Sequence, residues 1–308
     1  MNRRPLFKFM HQKIMARLGK SPPKQMSSAT ARSTPPIGTV SEPTAPPRAN
    51  QDPDTRQQAH EENLITSISR SIHNKTVIDI GAHRGQFFSR MLDAGFETVY
   101  AVEPHPVLAE ELHQRFGSDP RVHIHQLAMA ERDRSMNLCV IAKQSVENTT
   151  PSDPLLFSSL IPHHFGIGME FHDEIPVRCR SITSMVRDGL LPERAGILKI
   201  DSEGYDLKIL KGMPDGAPYE VVMSEYWGAE YLFANEENHH GDKIITWLEN
   251  QGYPFSIHIT RKHPNQPGYT LNRLPAEQNV WGNSLFFKDA DLFNLAIKHV
   301  EQVLEPRP

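Results

Sequence analysis

Thr76-Val77-Ile78-Asp79-Ile80-Gly81-Ala82-His83-Arg84-Gly85 is the stretch on which the fold turns. Its β-branched residues run together with a single acid between them, which predicts a short strand buried on both faces. The run ends in a glycine turn. Gln86 to Gly95 (QFFSRMLDAG) then predicts a helix, with Phe87, Met91 and Leu92 inward and Gly95 as its stop. TVYAVEP (98–104) reads as a second strand and VLAEELHQRFG (107–117) as a second helix. RVHIHQLAMA (121–130) reads as a third strand. Strands and helices alternating at this spacing predict βαβ units, a parallel sheet and right-handed crossovers.

Further along, SMNLCVIAK (135–143) and IPVRCRSIT (175–183) read as strands of an insertion beside the sheet, with a loop (145–160) between them. SITSMVRDGLL (181–191) reads as a helix. GILKIDSEG (196–204) is a fourth core strand entering a turn, YDLKILKGM (205–213) a helix and YEVVMSEYW (219–227) a fifth strand. KIITWLENQG (243–252) is a helix, and FSIHIT (255–260) with SLFFKD (284–289) predicts an antiparallel closing pair.

The turn Asp79 to Gly85 lies at the carboxyl end of the first strand, where open α/β sheets bind ligands. Gly81 permits a tight turn, Gly85 a close approach of helix or backbone, and the following helix offers free N–H groups to a carboxylate. A dinucleotide fingerprint has a glycine where His83 stands, so a pyrophosphate is disfavoured. S-adenosylmethionine has no pyrophosphate. Asp79 would lie near its cationic amine or order the loop. Glu103 ends the second strand, 103 − 79 = 24 residues after Asp79, near the spacing of about 20 residues expected of an acceptor for two ribose hydroxyls. Leu127, Ala128 and Met129 would wall the adenine, and Glu131 would accept from its amine. Each has an innocent reading, such as helix capping by Glu103; together, in register on three strands, they predict an adenosine cofactor.

VIDIGAHRGQF, VYAVEPHP, LAMAERD, FSSL, IPVRCRSIT and above all LKIDSEGYDLKILKGM resemble the FkbM-type methyltransferases, from about Lys75 to Trp227. The family often has Asn at His83, Asp at Glu131 and Glu at Asp206, changes that keep polarity. The resemblance implies a Rossmann-like class I methyltransferase fold: a mostly parallel, doubly wound sheet with an insertion between the third and fourth core strands. It implies S-adenosylmethionine-dependent O-methylation, commonly of sugars in polysaccharides, glycolipids or glycosylated metabolites. Ser159 matches the family's serine in FSSL.

A sugar hydroxyl is weakly acidic, so a general base assists methyl transfer. Asp201, at the end of the fourth strand, is the first candidate beside the transferred methyl. Glu225 ends the next strand and faces the same crevice. His163 and His164 in the insertion are further candidate bases, with solvent-facing loop histidines as the plain alternative. Glu203, Ser159, Tyr226 and Trp227 are candidate acceptor contacts; Asp201 and Glu203 would otherwise cap the helix at Tyr205. Asp201, Glu203 and Glu225 are also a conceivable magnesium set, although no spacing compels a metal and none is expected.

Domain organisation follows from composition. Residues 1–20 carry no acid and place Phe7, Met10, Ile14 and Leu18 at helical spacing among basic residues, a pattern that suits an anionic membrane surface or a partner. Residues 21–55 are rich in Pro, Ser and Thr and read as a disordered linker, leaving 56–308 as the catalytic domain with a first helix from Arg56 to Ser71. The net charge of −4 argues against a nucleic-acid partner. Cys139 and Cys179 form no CxxC pair and read as reduced core thiols. Without a secretory signal or a membrane-length apolar run, the expected location is the cytoplasm, with peripheral contact at the inner membrane surface through residues 1–20. The expected partner is a small-molecule or glycan acceptor. Outside enzymes, the competing class is a non-catalytic scaffold of the same fold, anchored by its N-terminal segment.

Overall fold

The computed structural model describes residues 53–140, 155, 158–161, 173–227, 241–261, 268–275 and 281–306. The basic segment, the linker to Asp52, His163 and His164 lie outside the described residues.

The first strand, β1 (Thr76–Ile80), is third from one edge of a nine-stranded sheet. A helix α1 (Pro53–Ile68) and a 3-10 turn (Ser69–Ser71) precede it. Then come α2 (Gln86–Asp93), β2 (Thr98–Val102), α3 (Pro106–Phe116) and β3 (Val122–His125). Next are β4 (Ala128–Met129), β5 (Arg134–Val140), β6 (Asp173–Arg180) and α4 (Ile182–Arg187). The chain re-enters the large sheet with β7 (Ala195–Ile200), followed by α5 (Asp206–Lys211), β8 (Tyr219–Trp227) and α6 (Gly241–Asn250). It ends in β9 (Phe255–Arg261), β10 (Gly268–Leu271), β11 (Trp281–Phe287), α7 (Ala290–Val303) and β12 (Glu305–Pro306).

The sheet order is β12-β10-β9-β11-β8-β7-β1-β2-β3. Strands β3, β2, β1, β7 and β8 are parallel, and β11 runs antiparallel to both β8 and β9. From β1 the chain winds outward through β2 to β3, then returns to build the other half from β7. The strand order therefore reverses between β1 and β7, which opens a crevice above their carboxyl ends.

Residue alternation sorts the core. Val77, Val99, Ile197 and Val221 face one side, under Leu64, Ile65 and Ile68 of α1, Phe87, Phe88 and Met91 of α2, and Phe293, Ala296 and Val300 of α7. Ile78, Ile80, Val102, Leu198 and Val222 face the other, packed on Met185 of α4, Leu207 and Leu210 of α5, and Ile244 and Leu248 of α6. A strand covered on both faces places apolar residues towards both, which is why TVIDI and GILKI, apart from the paired Asp79 and Lys199, do not alternate.

One expectation needs correction. The third strand does not run to Ala130. It stops at His125, where the Leu127 N–H turns back to the His125 carbonyl, and Ala128–Met129 pairs instead with β6. The two strands expected in the insertion are present as β5 and β6, and with β4 they form a separate three-stranded sheet whose Ala128, Leu138 and Val177 pack into the second core layer. The sequence reading passed over α7, although Leu292, Phe293, Ala296 and Val300 fall at helical spacing behind an Asp289 N-cap.

Candidate active site

Backbone pairing brings four chemical groups into one row. Ile80 is in register with Val102 on one side and Ile200 on the other, and Ile200 with Ser224. The next residue on each strand is Glu103, Gly81, Asp201 and Glu225. Cross-links hold the row: Gly81 and Ala82 donate to the Val102 carbonyl at 3.0 and 3.1 Å, Asp201 to Ile80 at 3.1 Å, and Glu103 to His125 at 3.1 Å.

The loop above β1 is shaped by backbone conformation. Gly81, His83 and Gly85 all have positive φ (74°, 51° and 80°). At Gly81 a Cβ would stand 2.0 Å from the Asp201 carbonyl oxygen, so only glycine lets β1 and β7 close up at this point. At Gly85 a Cβ would meet the Phe88 ring at 2.5 Å. Gly85 therefore serves the packing of α2 and α3, where Phe88 and Phe116 meet edge to face at 4.8 Å.

Glu103 is buried and accepts from the His83 N–H at 2.8 Å and the His105 N–H at 2.9 Å. Burial pushes its pKa up to about 7, against those two hydrogen bonds. A carboxylate has about four acceptor positions. Two go to backbone N–H groups, leaving two for a pair of hydroxyls. The cap of α3 is His105, whose Nδ1 accepts from Val107 N at 3.2 Å, so Glu103 is not the residue capping that helix. Burial and the Arg84 charge lower the His83 imidazole to about 4, which keeps it neutral beside this acid.

Asp79 is fully buried and takes the Lys199 ammonium at 2.9 Å, across a parallel pair in which the two residues are in register. The same ammonium lies 3.4 Å from the Gly81 carbonyl and 3.9 Å from Asp201. Burial alone would lower the pKa of Lys199, but the Asp79 and Asp201 carboxylates outweigh it and hold the amine charged. Of the two roles open to Asp79, this geometry suits ordering the loop.

Asp201 is part-exposed in the crevice, whereas Glu203 and Glu225 are buried. One carboxylate oxygen from each of the three lies within 4.8 Å of the others. Glu203 reaches this position because its backbone turns left-handed (φ 49°), and Ser159 Oγ holds the turn by donating to the Glu203 carbonyl at 2.9 Å. The helix behind them starts at Tyr205 with no side-chain cap, so Asp201 and Glu203 do not cap it. Asp206, which the sequence reading noted only for its family variation, accepts from Ser202 N at 3.2 Å and Glu225 N at 3.1 Å and ties the two strand ends together.

Ala128 is buried in the small sheet. Glu131 pairs with Arg134 at 3.1 Å and accepts from the Tyr205 hydroxyl at 3.4 Å, while Arg134 also bonds that hydroxyl. Tyr226 is 1% exposed, with its hydroxyl 3.1 Å from Thr260 Oγ1. The ring is covered, and the stacking face expected of it is closed by packing. Trp227 is the last residue of β8.

The residues fit an S-adenosylmethionine site: a bent glycine loop at a helix start, a buried two-hydroxyl acceptor on the next strand, and a carboxylate at the end of the strand on the other side. A match to a family model points the same way. A family described as the methyltransferase FkbM domain matches residues 79–255. Among curated proteins there is no match. Solved structures similar to this chain include precorrin-6y C5,15-methyltransferase from Geobacter metallireducens, at 12% identity over 74% of this chain and 88% of that one, with a TM-score of 0.38. Spermidine synthase from Thermotoga maritima is another, at 12% identity over 79% of this chain and 62% of that one, also with a TM-score of 0.38. The family match spans more than half of the sequence and includes all four residues of the row, and the chain therefore belongs to the FkbM methyltransferase domain family of S-adenosylmethionine-dependent enzymes.

Proposed function

We propose that the protein methylates a hydroxyl group, on a sugar of a polysaccharide, glycolipid or glycosylated metabolite. The observation that carries this reading is the pair of carboxylates, Asp201 and Glu225, at register-neighbouring strand ends beside the cofactor loop. S-adenosylmethionine, when bound, supplies a methyl group on a positively charged sulfur. Gly81 to Gly85 and Glu103 hold its two ends. Asp201, part-exposed at the crevice, accepts a hydrogen bond from the acceptor hydroxyl and fixes its oxygen towards the loop. Either Asp201 or Glu225 takes the hydroxyl proton as the oxygen is methylated. Two acceptor-only carboxylates suit a polyhydroxylated ring, which offers several O–H donors at once.

The test is transfer of labelled methyl from S-adenosylmethionine to cell extracts of the source, followed by acid hydrolysis and separation of the monosaccharides. Label in O-methyl sugars is the expected result. Label confined to non-sugar metabolites would replace the sugar by another hydroxylated natural product. Saturable cofactor binding without transfer to any fraction would favour the scaffold.

The proposed location is the cytoplasm, with residues 1–20 on an anionic membrane surface. No helix among the described residues is long and apolar enough to cross a membrane. Flotation with anionic liposomes tests the arm: equal flotation of the full chain and of a chain starting at Arg56 would remove that contact.

A further inference from the structure

We propose that Asp201, Glu203 and Glu225, with the side-chain carbonyl of Asn283, bind one divalent cation of the hard, oxygen-seeking kind: magnesium, manganese or calcium. Spacing comes first. The three carboxylate oxygens lie within 4.8 Å of one another. Opposite ligands around magnesium stand about 4.2 Å apart, and around calcium about 4.8 Å, twice the metal–oxygen distance. The three oxygens already occupy the span of a single coordination shell.

Asn283 supplies an independent observation. It is the direct cross-strand partner of Glu225 on β11, and it is buried. Partners in an antiparallel pair project from the same face with Cβ atoms about 4.5–5.5 Å apart. The Asn283 amide nitrogen donates to Glu61 Oε2 at 2.5 Å. Its carbonyl oxygen is buried and accepts no hydrogen bond. A buried carbonyl without a donor is costly, and a cation beside Glu225 would give it a partner. This neighbour is neutral, so it adds a ligand without adding to the repulsion among three acids.

Ligand chemistry selects the ion. Among the described residues the set contains no thiolate and no imidazole, so it favours hard cations over zinc or copper. Lys199 is the counter-ion of Asp79 and, at longer range, of Asp201. Its ammonium bonds Asp79 at 2.9 Å and stands 3.9 Å from Asp201, on the β1 side of the row, whereas Glu225 and Asn283 lie on the other. The site depends on these residues alone. Only its use depends on the hydroxyl acceptor: a hydroxyl bound to the ion loses its proton more readily, the same task assigned above to a carboxylate.

The experiment is a manganese titration of the full chain after chelator treatment, read by the paramagnetic resonance signal of free Mn2+. One ion per chain is expected in the wild type. Glu225→Gln and Asp201→Asn should each weaken it by roughly tenfold or more, Asn283→Ala by less, and the exposed Glu249→Gln not at all. Thermal melts check that each variant folds; if Glu225→Gln does not, Asn283→Ala and Asp201→Asn carry the comparison. No saturable binding, equal binding in these variants, or displacement of Mn2+ by S-adenosylhomocysteine would overturn the site, the last because the acids would then serve the cofactor. Calorimetry with S-adenosylhomocysteine in metal-free buffer is a separate measurement. Its failure would strike the cofactor assignment and leave the metal titration standing.

Discussion

Glu103 shows how one residue can set a pH dependence. Its pKa of about 7 means that the unliganded site exchanges a proton near neutrality. The proton occupies one of the two acceptor positions that the backbone leaves open. Cofactor binding should therefore strengthen as pH rises through 7, with the apparent affinity falling about tenfold from pH 8 to pH 6 as the ionised fraction falls. Stability responds with the opposite sign. The folded acid holds its proton between its ordinary 4.5 and about 7, so stability is lost as pH rises through that window. Calorimetry across the pH range reads the first effect, and Glu103→Gln should flatten the slope while weakening binding throughout. An unchanged slope in that variant would move the titration to another group. Gly81 is the second single-residue case. Gly81→Ala places a Cβ 2.0 Å from the Asp201 carbonyl at a φ of +74°, so it must push β1 and β7 apart. Gly95→Ala shares the positive φ (+94°) but meets nothing within 4 Å, and should cost only about 1 kcal/mol of backbone strain. Melting curves should rank Gly81→Ala well below Gly95→Ala, with cofactor binding lost only in the first.

Pairing of β1 with β7 is where a prediction belongs to elements. Lys199→Met leaves Asp79 buried without its cation and should destabilise by about 3–5 kcal/mol, the usual cost of breaking a buried pair from one side. Asp79→Asn combined with Lys199→Met removes both charges and should recover most of that loss, measured by urea unfolding. If the double variant is no better than the single one, the pair is not what joins these strands. The same two strands show what was legible in the sequence. Apart from the charged pair Asp79 and Lys199, TVIDI and GILKI carry apolar residues towards both sheet faces because both are covered, so their nature as parallel strands can be read from composition. That Asp79 faces Lys199 cannot, because register between segments 120 residues apart is a tertiary property. Glu103 could be placed by its distance from Asp79 along one βαβ unit. Ala128 could not, because the sequence shows a continuous apolar run through residues 127–130 and hides the turn after His125 that sends it into the small sheet. Tyr226 looks like a rim aromatic in sequence and is covered because β9 pairs beyond β11 and brings Thr260 to its hydroxyl.

At the scale of the whole molecule, the matched family domain begins at residue 79, yet the structure places α1 ahead of it as part of the same core. Leu64, Ile65, Ile68 and Ile72 are each at most 1% exposed. Burying a side chain of this kind contributes about 1.5–3 kcal/mol, so these four together contribute roughly 6–12 kcal/mol. A domain's whole stability is about 5–15 kcal/mol. Polar ties add direction: Glu62 meets Arg90 of α2 at 2.6 Å, and Glu61 meets Asn283 of β11 at 2.5 Å, next to Glu225. A chain starting at Lys75 should therefore lack a cooperative melt, although it retains every residue of the cofactor loop. Within the full chain, Ile65→Ala should cost about 2–5 kcal/mol, the range for emptying a filled core position. Should the shortened chain melt within a few degrees of the full one, α1 would be a passenger on the sheet, and the tie from Glu61 to the edge of the active site would lose its support.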